Sequence, residues 1–447
     1  MARVFRLLIT YSFVLAVLLF QASAQESSIG GMDRNGMNGN EKNMGQLNMQ
    51  MNGMNTKHES SQLPSPHDGS GTAWEPASVP EHAWMLMHGG WELMAHGQIF
   101  VDYNQQGGPR GGGAKAESVN VGMLMEQHSL GSGTILFRQM LSAESLTSPH
   151  PGFPELFQTG ETYHGQGLVD HQHPHNVFGE LSMLYLLPLS EKVSWEFYGG
   201  PSAEPALGPV TYIHRTSASE LPLAPLGHHL QDSTHTSFGV VTTGFIIDKV
   251  KVEGSVFNGR EPNEERWSIQ LAALDSYSGR VSVAPTRNWT AQYSIGRLQH
   301  PEALEATSQW RQTASVEYDR RLAGGNWATS VIWGRVHKIE TNTNLNSYLF
   351  ESTLNFLRRD YAFTRMELVD KDELFPQALV HPSYRIGAYT FGGVRDVVQN
   401  RAWQLGLGAD VTIYSKPAVL DAAYGNFPVS FQIFLRMRPG LHDQQRH

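Results

Sequence analysis

The sequence contains no cysteine in its 447 residues. A disulfide framework, a thiolate metal site and a lipidated cysteine anchor are therefore excluded. Beyond the run Leu7–Phe20 there is also no long apolar stretch, and no second membrane-spanning helix is predicted. Charged residues reach only 17%, and the net charge of −9 argues against a nucleic-acid partner. What the chain does contain is glycine, with 44 residues, and 10% aromatic residues, which is typical of a β-rich protein with many turns.

Residues 1–24 have the layout of a secretory signal peptide. "MARVFR" carries two arginines, "LLITYSFVLAVLLF" is apolar, and "ASA" precedes Gln25 as a small-residue cleavage site. The apolar run is shorter than the roughly 20 residues that a spanning helix needs. We therefore expect export and cleavage, with an uncleaved membrane anchor as the alternative.

Residues 25–80 are predicted to be a disordered tail and linker. The stretch is dominated by Met, Asn and Gly, with almost no aliphatic side chains, and it cannot bury enough apolar surface to offset the entropy of ordering. Its methionines have no apolar partners, and thioethers are soft ligands that select Cu(I). The candidate ligands in this tail are Met32, Met37, Met44, Met49, Met51 and Met54. The alternative is that these methionines are incidental to a low-complexity stretch.

Residues 81–447 show the two-residue period of β-strands. In "VKVEGSVFN", for example, Lys251 and Glu253 alternate with Val250 and Val252. Such segments have one apolar and one polar face. The same alternation occurs in 289–296, 311–319, 403–413 and 429–437.

The connections between these segments alternate between short and long. Tight turns such as "LGSG", "LSEK" and "VQNR" alternate with long loops near 104–116, 146–175, 200–233, 259–275, 299–308, 337–347, 370–383 and 416–427. This layout predicts an all-β fold, a closed antiparallel transmembrane β-barrel of about 16 strands (roughly 14–18) in the bacterial outer membrane. Trp91, Trp289, Trp327 and Trp403 are candidates for the aromatic girdles. The alternative fold is a secreted β-sandwich or solenoid.

Two of the predicted long loops are rich in histidine. "GLVDHQHPHN" holds three imidazoles two residues apart, and "GHHLQDSTH" holds three more. Neutral imidazole is the commonest metal ligand and suits Zn, Cu or Ni, although no established zinc signature is present. Loops of about 30 residues are too long for idle connections in a compact domain. The candidate metal ligands are His164, Asp170, His171, His173, His175, His228, His229, Asp232 and His235. The alternative is a polar network that holds the loops in place.

Two further features carry weaker chemical indications. The stretch "HAWMLMHGGWELMAHG" places His82, Met85, Met87, His88, Met94 and His96 at the expected barrel entrance, where strand packing explains part of the pattern. Ser233 lies near His235 and Asp232, but no G-x-S-x-G elbow is present. We therefore expect no enzymatic activity.

The overall layout resembles the copper-resistance B family of outer-membrane proteins, which combine a signal, a Met-rich tail and a barrel. Tails of that family interleave Met with His and Asp, whereas the Met/Asn/Gly-rich part of this tail, before Ser60, contains a single histidine, His58. The barrel segments resemble an uncharacterised family of bacterial outer-membrane proteins. The matching stretches, within residues 89–300, are "GGWELMAHG", "QTGETYHGQGLVDHQHPHN", "YGGPSAEPALGP", "HHLQDSTHTSFGVVT", "VFNGREPNEERW" and "LDSYSGRVS". This resemblance implies the barrel fold and no particular ligand.

The sequence thus predicts an outer-membrane barrel that handles a transition metal, copper first or another divalent ion, by binding or passage. The alternative function is a general diffusion porin for small solutes, with purely structural loop histidines. The expected partners are membrane lipid and small solutes or metal ions, and not nucleic acid. The sequence predicts no particular oligomeric state.

Overall fold

The structure, a computed structural model, describes residues 67–378 and 380–442. Its three α-helices are single turns: α1 (Glu144–Thr147), α2 (His228–Gln231) and α3 (Asp421–Tyr424). None of the helices in these ranges has the length and apolar character needed to cross a membrane. The strands are β1 (Ala83–His88), β2 (Trp91–Gln105), β3 (Ala114–Glu117), β4 (Asn120–Leu130), β5 (Gly133–Leu141), β6 (Phe153–Tyr163), β7 (Gln166–Gln172), β8 (Phe178–Pro188), β9 (Val193–Ser202), β10 (Val240–Ile247), β11 (Val250–Phe257), β12 (Ser276–Thr286), β13 (Trp289–Leu298), β14 (Gln309–Leu322), β15 (Gly325–Lys338), β16 (Thr343–Phe356), β17 (Asp360–Lys371), β18 (Tyr384–Gln399), β19 (Trp403–Ser415) and β20 (Val429–Pro439).

The wall is a closed antiparallel barrel of sixteen strands. Each wall strand pairs with the next along the chain, and β2 closes the ring by pairing with β20 from Ile99↔Met437 to Gln105↔Phe431. The short strands β1 and β3 also pair with β2 and continue the positions of β20 and β4, respectively. Strands β6 and β7 form a separate hairpin. The predicted fold class and strand number are therefore confirmed.

The alternation along the wall strands separates an apolar exterior from a polar interior. On β11, Lys251 is fully buried, whereas its neighbour Val252 is 48% exposed. On β20, Ile433 is 54% exposed and Arg436 is fully buried. A closed barrel satisfies every backbone polar group of its wall, and an apolar outer surface requires lipid around it. The protein is therefore an outer-membrane β-barrel.

The two rims of the barrel differ in the length of their connections. Turns such as 131–132, 248–249 and 287–288 lie at one rim, which in barrels of this kind faces the periplasm. The opposite rim carries the loops 106–113, 142–177, 203–239, 258–275, 299–308, 372–383 and 416–428. One predicted long loop, 337–347, is shorter than expected, because β15 and β16 continue pairing until only 339–342 remain. We call these rims the turn side and the loop side.

Aromatic side chains mark the turn side of the exterior. Trp289 and Trp327 are 44% and 43% exposed, and both contact Tyr318, with ring centroids 4.5 and 5.6 Å apart. Trp403 is less exposed, because the Trp84 ring packs edge-on against it at 4.5 Å. Trp289 and Trp403 begin strands directly after tight turns and Trp327 is the third residue of β15, which is the position of an interfacial aromatic girdle.

Two of the long loops fold into the lumen instead of standing above it. In loop 142–177, Leu156 and Phe157 of the β6–β7 hairpin are fully buried. Nearly all of loop 203–239 is buried, and its Arg215 donates to Glu351 of β16 with Nε and Oε2 at 2.8 Å. Arg365 of β17 binds the other oxygen of Glu351 at 2.7 Å. This buried ion network fixes loop 203–239 to the wall.

Residues 67–80 occupy the lumen from the turn side. Thr72 is only 1% exposed, its carbonyl accepts a hydrogen bond from Lys251, and its hydroxyl lies 2.8 Å from an Arg280 nitrogen. Near the rim, Ser78 donates to the Asp319 carbonyl at 2.8 Å. The sequence predicts a disordered linker for these residues, whereas in the structure their polar groups bond to charged residues on the inner surface of the wall. The predicted signal peptide and the rest of the predicted tail lie outside the described residues.

Candidate metal-binding site in the lumen

Five imidazoles meet in the loop-side half of the lumen. His173 and His175 follow the β6–β7 hairpin, and His228, His229 and His235 lie in and just after α2. Neighbouring ring centroids are 5.0 to 5.4 Å apart along the chain of contacts His175–His235–His228–His229–His173. We call these five residues the imidazole cluster.

Two glycines permit the close packing of this cluster. A Cβ atom at Gly334 of β15 would lie 2.2 Å from the Leu230 carbonyl oxygen, so only glycine lets α2 lie against the wall. A Cβ atom at Gly160 would lie 2.4 Å from the His229 ring, and the φ of Gly160, +127°, also favours glycine. The wall and the hairpin therefore approach α2 from both sides.

His175 and His235 point their Nε2 atoms at each other across 3.1 Å. The Nδ1 of His175 lies 2.8 Å from Glu144 Oε2, and the Nδ1 of His235 lies 2.9 Å from the Asp232 carbonyl oxygen. Both partners are acceptors, so each Nδ1 carries the hydrogen and each Nε2 keeps a lone pair. Two lone pairs at this distance require a shared proton or a cation between them.

The remaining three imidazoles form a second convergence. One ring nitrogen from each of His173, His228 and His229 lies within 4.8 Å of the others. The Nδ1 of His228 donates to Asp232 Oδ1 at 2.6 Å, which leaves its Nε2 free. A histidine held by a carboxylate through one nitrogen is the usual arrangement of a metal-ligating imidazole.

Carboxylates surround the cluster and are themselves held by arginines. Glu161 lies 3.2 Å from the Nε2 of His173 and also pairs with Arg266. Glu261 lies 3.4 Å from the Nδ1 of His229 and 3.5 Å from Arg311. Four of the five imidazoles therefore contact a carboxylate, which is the charge environment that a divalent cation needs when it is buried.

The pKa values of most imidazoles in the cluster are shifted towards the neutral form. Burial lowers the pKa of His173 well below its usual value, and the charge of Arg266 acts in the same direction. Burial likewise lowers the pKa of His229 and His235. For His175 the Glu144 carboxylate outweighs burial and raises the pKa. Neutral imidazoles are the form that binds metal.

The pKa of Asp232 shifts in the opposite sense to that of an ordinary buried acid. Burial alone would raise it, but the neighbouring His228 outweighs burial and holds the pKa at about 2. The second oxygen of Asp232 accepts the backbone N–H of Tyr212 at 3.0 Å. Asp232 is therefore an ionised group that positions His228.

Three of the candidate ligands lie apart from the cluster. His164 is exposed at the tip of the β6–β7 hairpin, where its backbone N–H binds Glu264 at 2.7 Å. Asp170 is buried in an ion pair with Arg110, with Oδ2 and Nε at 2.8 Å. The ring of His171 bonds to the Val169 carbonyl at 3.0 Å. We correct the expectation that all three histidines of "HQHPH" act together, because His171 belongs to the hairpin and its neighbours lie beyond it.

The other candidate residues divide into two groups. Met32, Met37, Met44, Met49, Met51 and Met54 lie outside the described residues. Ser233 accepts a hydrogen bond from Arg311, and the Nδ1 of His235 bonds to the Asp232 backbone carbonyl instead of its carboxylate. These three residues therefore do not form a Ser–His–Asp triad.

Three residues that contact and position the imidazoles were not among the predicted site residues. Glu144 lies 31 residues from His175, Glu261 lies 32 residues from His229, and Tyr212 lies 37 residues from His175. Asp232 was among the predicted ligands, whereas Glu161, in the same histidine-rich part of the chain, was not. No local spacing signal marks Glu144, which precedes its partner by 31 residues.

No protein-family model matches the chain, and no curated protein matches its sequence. Among solved structures, it is similar to an anion-selective porin from Comamonas acidovorans, with a TM-score of 0.48, 9% identity, and 78% of this chain and 99% of that chain covered. It is also similar to Salmonella typhi OmpF in complex with daunomycin, with a TM-score of 0.49 and 8% identity, and the match covers 79% of this chain and 99% of that chain. The match to the outer-membrane channel DcaP of Acinetobacter baumannii has a TM-score of 0.47 and 7% identity, and it covers 79% of this chain and 98% of that chain.

Proposed function

We propose that this outer-membrane barrel binds a divalent transition metal in its imidazole cluster. The observation that carries the proposal is the pair of opposed Nε2 atoms of His175 and His235, 3.1 Å apart. Two imidazoles on one tetrahedral metal, with metal–nitrogen bonds of about 2.0–2.1 Å, place their nitrogens roughly 3.3 Å apart. The pair therefore has the spacing of two ligands of a single ion.

Copper is the first ion to test. Imidazole sites bind Cu(II) with higher affinity than either Zn(II) or Ni(II). The proposed role of the Met-rich tail is capture of Cu(I) in the periplasm, using Met32, Met37, Met44, Met49, Met51 and Met54. Binding of the metal ion by the imidazole cluster is a separate step from passage of the ion through the barrel.

The test is metal titration of the purified full-length protein in detergent after removal of bound metal with a chelator. We expect Cu(II) or Zn(II) to bind stoichiometrically and to release a proton, because the ion replaces the proton shared by His175 and His235. Proton release can be followed by calorimetry in buffers of different ionisation enthalpy. Absence of binding above the level of a barrel lacking histidine clusters would overturn the proposal.

A second candidate function is passage of small solutes. The polar rows of the wall line the interior, and a cavity of about 140 Å³ remains on the turn side. Passage would require loop 203–239 or residues 67–80 to move, because both occupy the lumen. Planar-bilayer conductance tests this function: steady conductance without metal binding favours a diffusion porin in which the histidines only hold the loops.

A further inference from the structure

A second group of possible ligands lies on the inner surface of the wall. The inward faces of β2, β4 and β5 carry Met94, Met123, Met125 and Met140, each no more than 6% exposed. Elsewhere the interior wall presents mainly Arg, Glu, Ser and Thr. Four thioethers in one interior patch are therefore a departure from the rest of the wall.

Strand register brings two of these methionines into line with a histidine. His96 of β2 is paired with Met123 of β4, and Met123 is paired with Met140 of β5. Directly opposed residues in antiparallel strands have Cβ atoms about 4.5–5.5 Å apart and point to the same face. The three side chains therefore form one row across the wall.

A histidine from the in-folded loop closes this row into a ring of four ligands. The Nε2 of His214, in loop 203–239, lies 3.3 Å from the Sδ of Met140. The same imidazole contacts His96, with ring centroids 5.7 Å apart. His96, Met123 and His214 all line the cavity of about 140 Å³, together with Met94 and Met125. We call His96, Met123, Met140 and His214 the thioether site.

We propose that the thioether site binds a soft monovalent metal ion of the Cu(I) class. Two imidazole nitrogens and two thioether sulfurs form a neutral donor set, and thioethers select Cu(I) over harder ions. Metal–nitrogen and metal–sulfur bonds of about 2.0 and 2.3 Å place N and S roughly 3.5 Å apart in a tetrahedral site, close to the spacing of His214 and Met140. The site is separate from the imidazole cluster and does not depend on it.

Core packing is the competing explanation for these methionines. Met94, Met123, Met125 and Met140 pack with Leu136, Leu184 and Leu207 in one apolar cluster. Packing alone accounts for the burial of the methionines but gives no reason for two imidazoles beside them. In the structure, His96 forms no hydrogen bond within the described residues, so its ring is available to a ligand.

The test uses the full-length protein with Ag(I) as a redox-inert probe and ¹³C-methyl methionine NMR as the readout. We expect the Met123 and Met140 methyl resonances to shift with the first equivalents of Ag(I) and to stop shifting in H96Q/H214Q. Shifts confined to the tail methionines would overturn the proposal. This spectrum separates the site from the tail without removing any part of the chain.

A stoichiometry measurement provides the matched control. M123L/M140L preserves volume and removes both sulfurs, whereas M183L/M366L removes two sulfurs from outward-facing positions. The first variant is expected to bind one Ag(I) fewer than the native protein, and the second to bind the same number. The H175Q/H235Q variant is expected to retain this Ag(I), which keeps the outcome distinct from that of the imidazole cluster. Equal binding by all variants would leave only a packing role.

Discussion

The imidazole cluster and the thioether site offer metal ligands of different kinds, and different parts of the chain supply them. On the loop side, five imidazoles come from two in-folded loops, and four of them contact carboxylates. At the thioether site, the sulfur ligands and His96 come from wall strands, and only His214 comes from a loop. The loop-side half therefore suits a doubly charged ion, whereas the neutral thioether site suits a soft ion of lower charge.

This difference shows how loop 203–239 links the two sites. His214 belongs to the thioether site, and His228, His229 and His235 belong to the imidazole cluster. The loop is fixed between them by Arg215, which binds Glu351 and lies 3.6 Å from Asp232. The placement of both sites thus depends on one buried ion network.

The largest expected effect comes from breaking that network with R215M. Removing one partner of a buried ion pair costs about 3–5 kcal/mol, because the remaining charge is left uncompensated. Urea unfolding in lipid vesicles measures the loss of stability. The matched control is R395M, at an arginine that is 69% exposed and paired with Asp360, where we expect a change within about 1 kcal/mol. Equal effects of the two variants would contradict the role given to Arg215.

The second prediction concerns the loop-side half alone. H175Q/H235Q is expected to weaken Cu(II) or Zn(II) binding at least about 100-fold, since even loss of an outer-shell partner costs 10–100-fold. Calorimetry measures the affinity. H164Q/H171Q, at histidines apart from the cluster, is expected to leave it unchanged. If both double variants lose affinity equally, the metal is not bound where we propose.

A smaller effect is expected from E144Q. Glu144 holds the Nδ1–H of His175 and the backbone N–H of His175, both through Oε2, at 2.8 and 2.9 Å. The glutamine amide of E144Q holds the His175 ring less firmly than the native carboxylate does, and we therefore expect the metal affinity to fall about 10-fold. The control is E191Q, at an exposed glutamate in a tight turn. Unchanged affinity in E144Q would exclude His175 as a ligand oriented by Glu144.

The smallest expected effect is the change in stability when both sulfurs of the thioether site are removed. M123L/M140L is a volume-conserving exchange, and we expect each substitution to reduce stability by less than about 1.5 kcal/mol. Urea unfolding without metal provides the comparison with the native protein. A loss above about 3 kcal/mol would indicate that packing of the thioethers, and not metal binding, governs their position.

The wall was predictable because its signal is local. Alternation of residues such as Lys251 and Val252 specifies which side faces lipid, and the tight turns locate the strand ends. The prediction for 337–347 was less accurate because polar residues such as Asn344 and Asn346 resemble a loop in sequence but continue the β15–β16 pairing.

The interior was less predictable because its contacts are distant in sequence. The histidines of the imidazole cluster stood out as local runs, but the three histidines of "HQHPH" do not act as one unit. Residues 67–80 look like a linker in sequence, and their burial depends on contacts with wall residues such as Lys251 of β11 and Arg280 of β12. Met123 and Met140 look like ordinary strand residues, and their relation to His214 exists only after the loop folds inward.

The central claim is that a transition metal lies between His175 and His235 inside the barrel. The most direct measurement is an anomalous difference map from crystals of the zinc-loaded or copper-loaded protein, recorded at the metal absorption edge. We predict a peak about 2.0–2.1 Å from the Nε2 atoms of both residues. A map without a peak there, with the two imidazoles still facing each other and metal found only at other positions, would contradict the account.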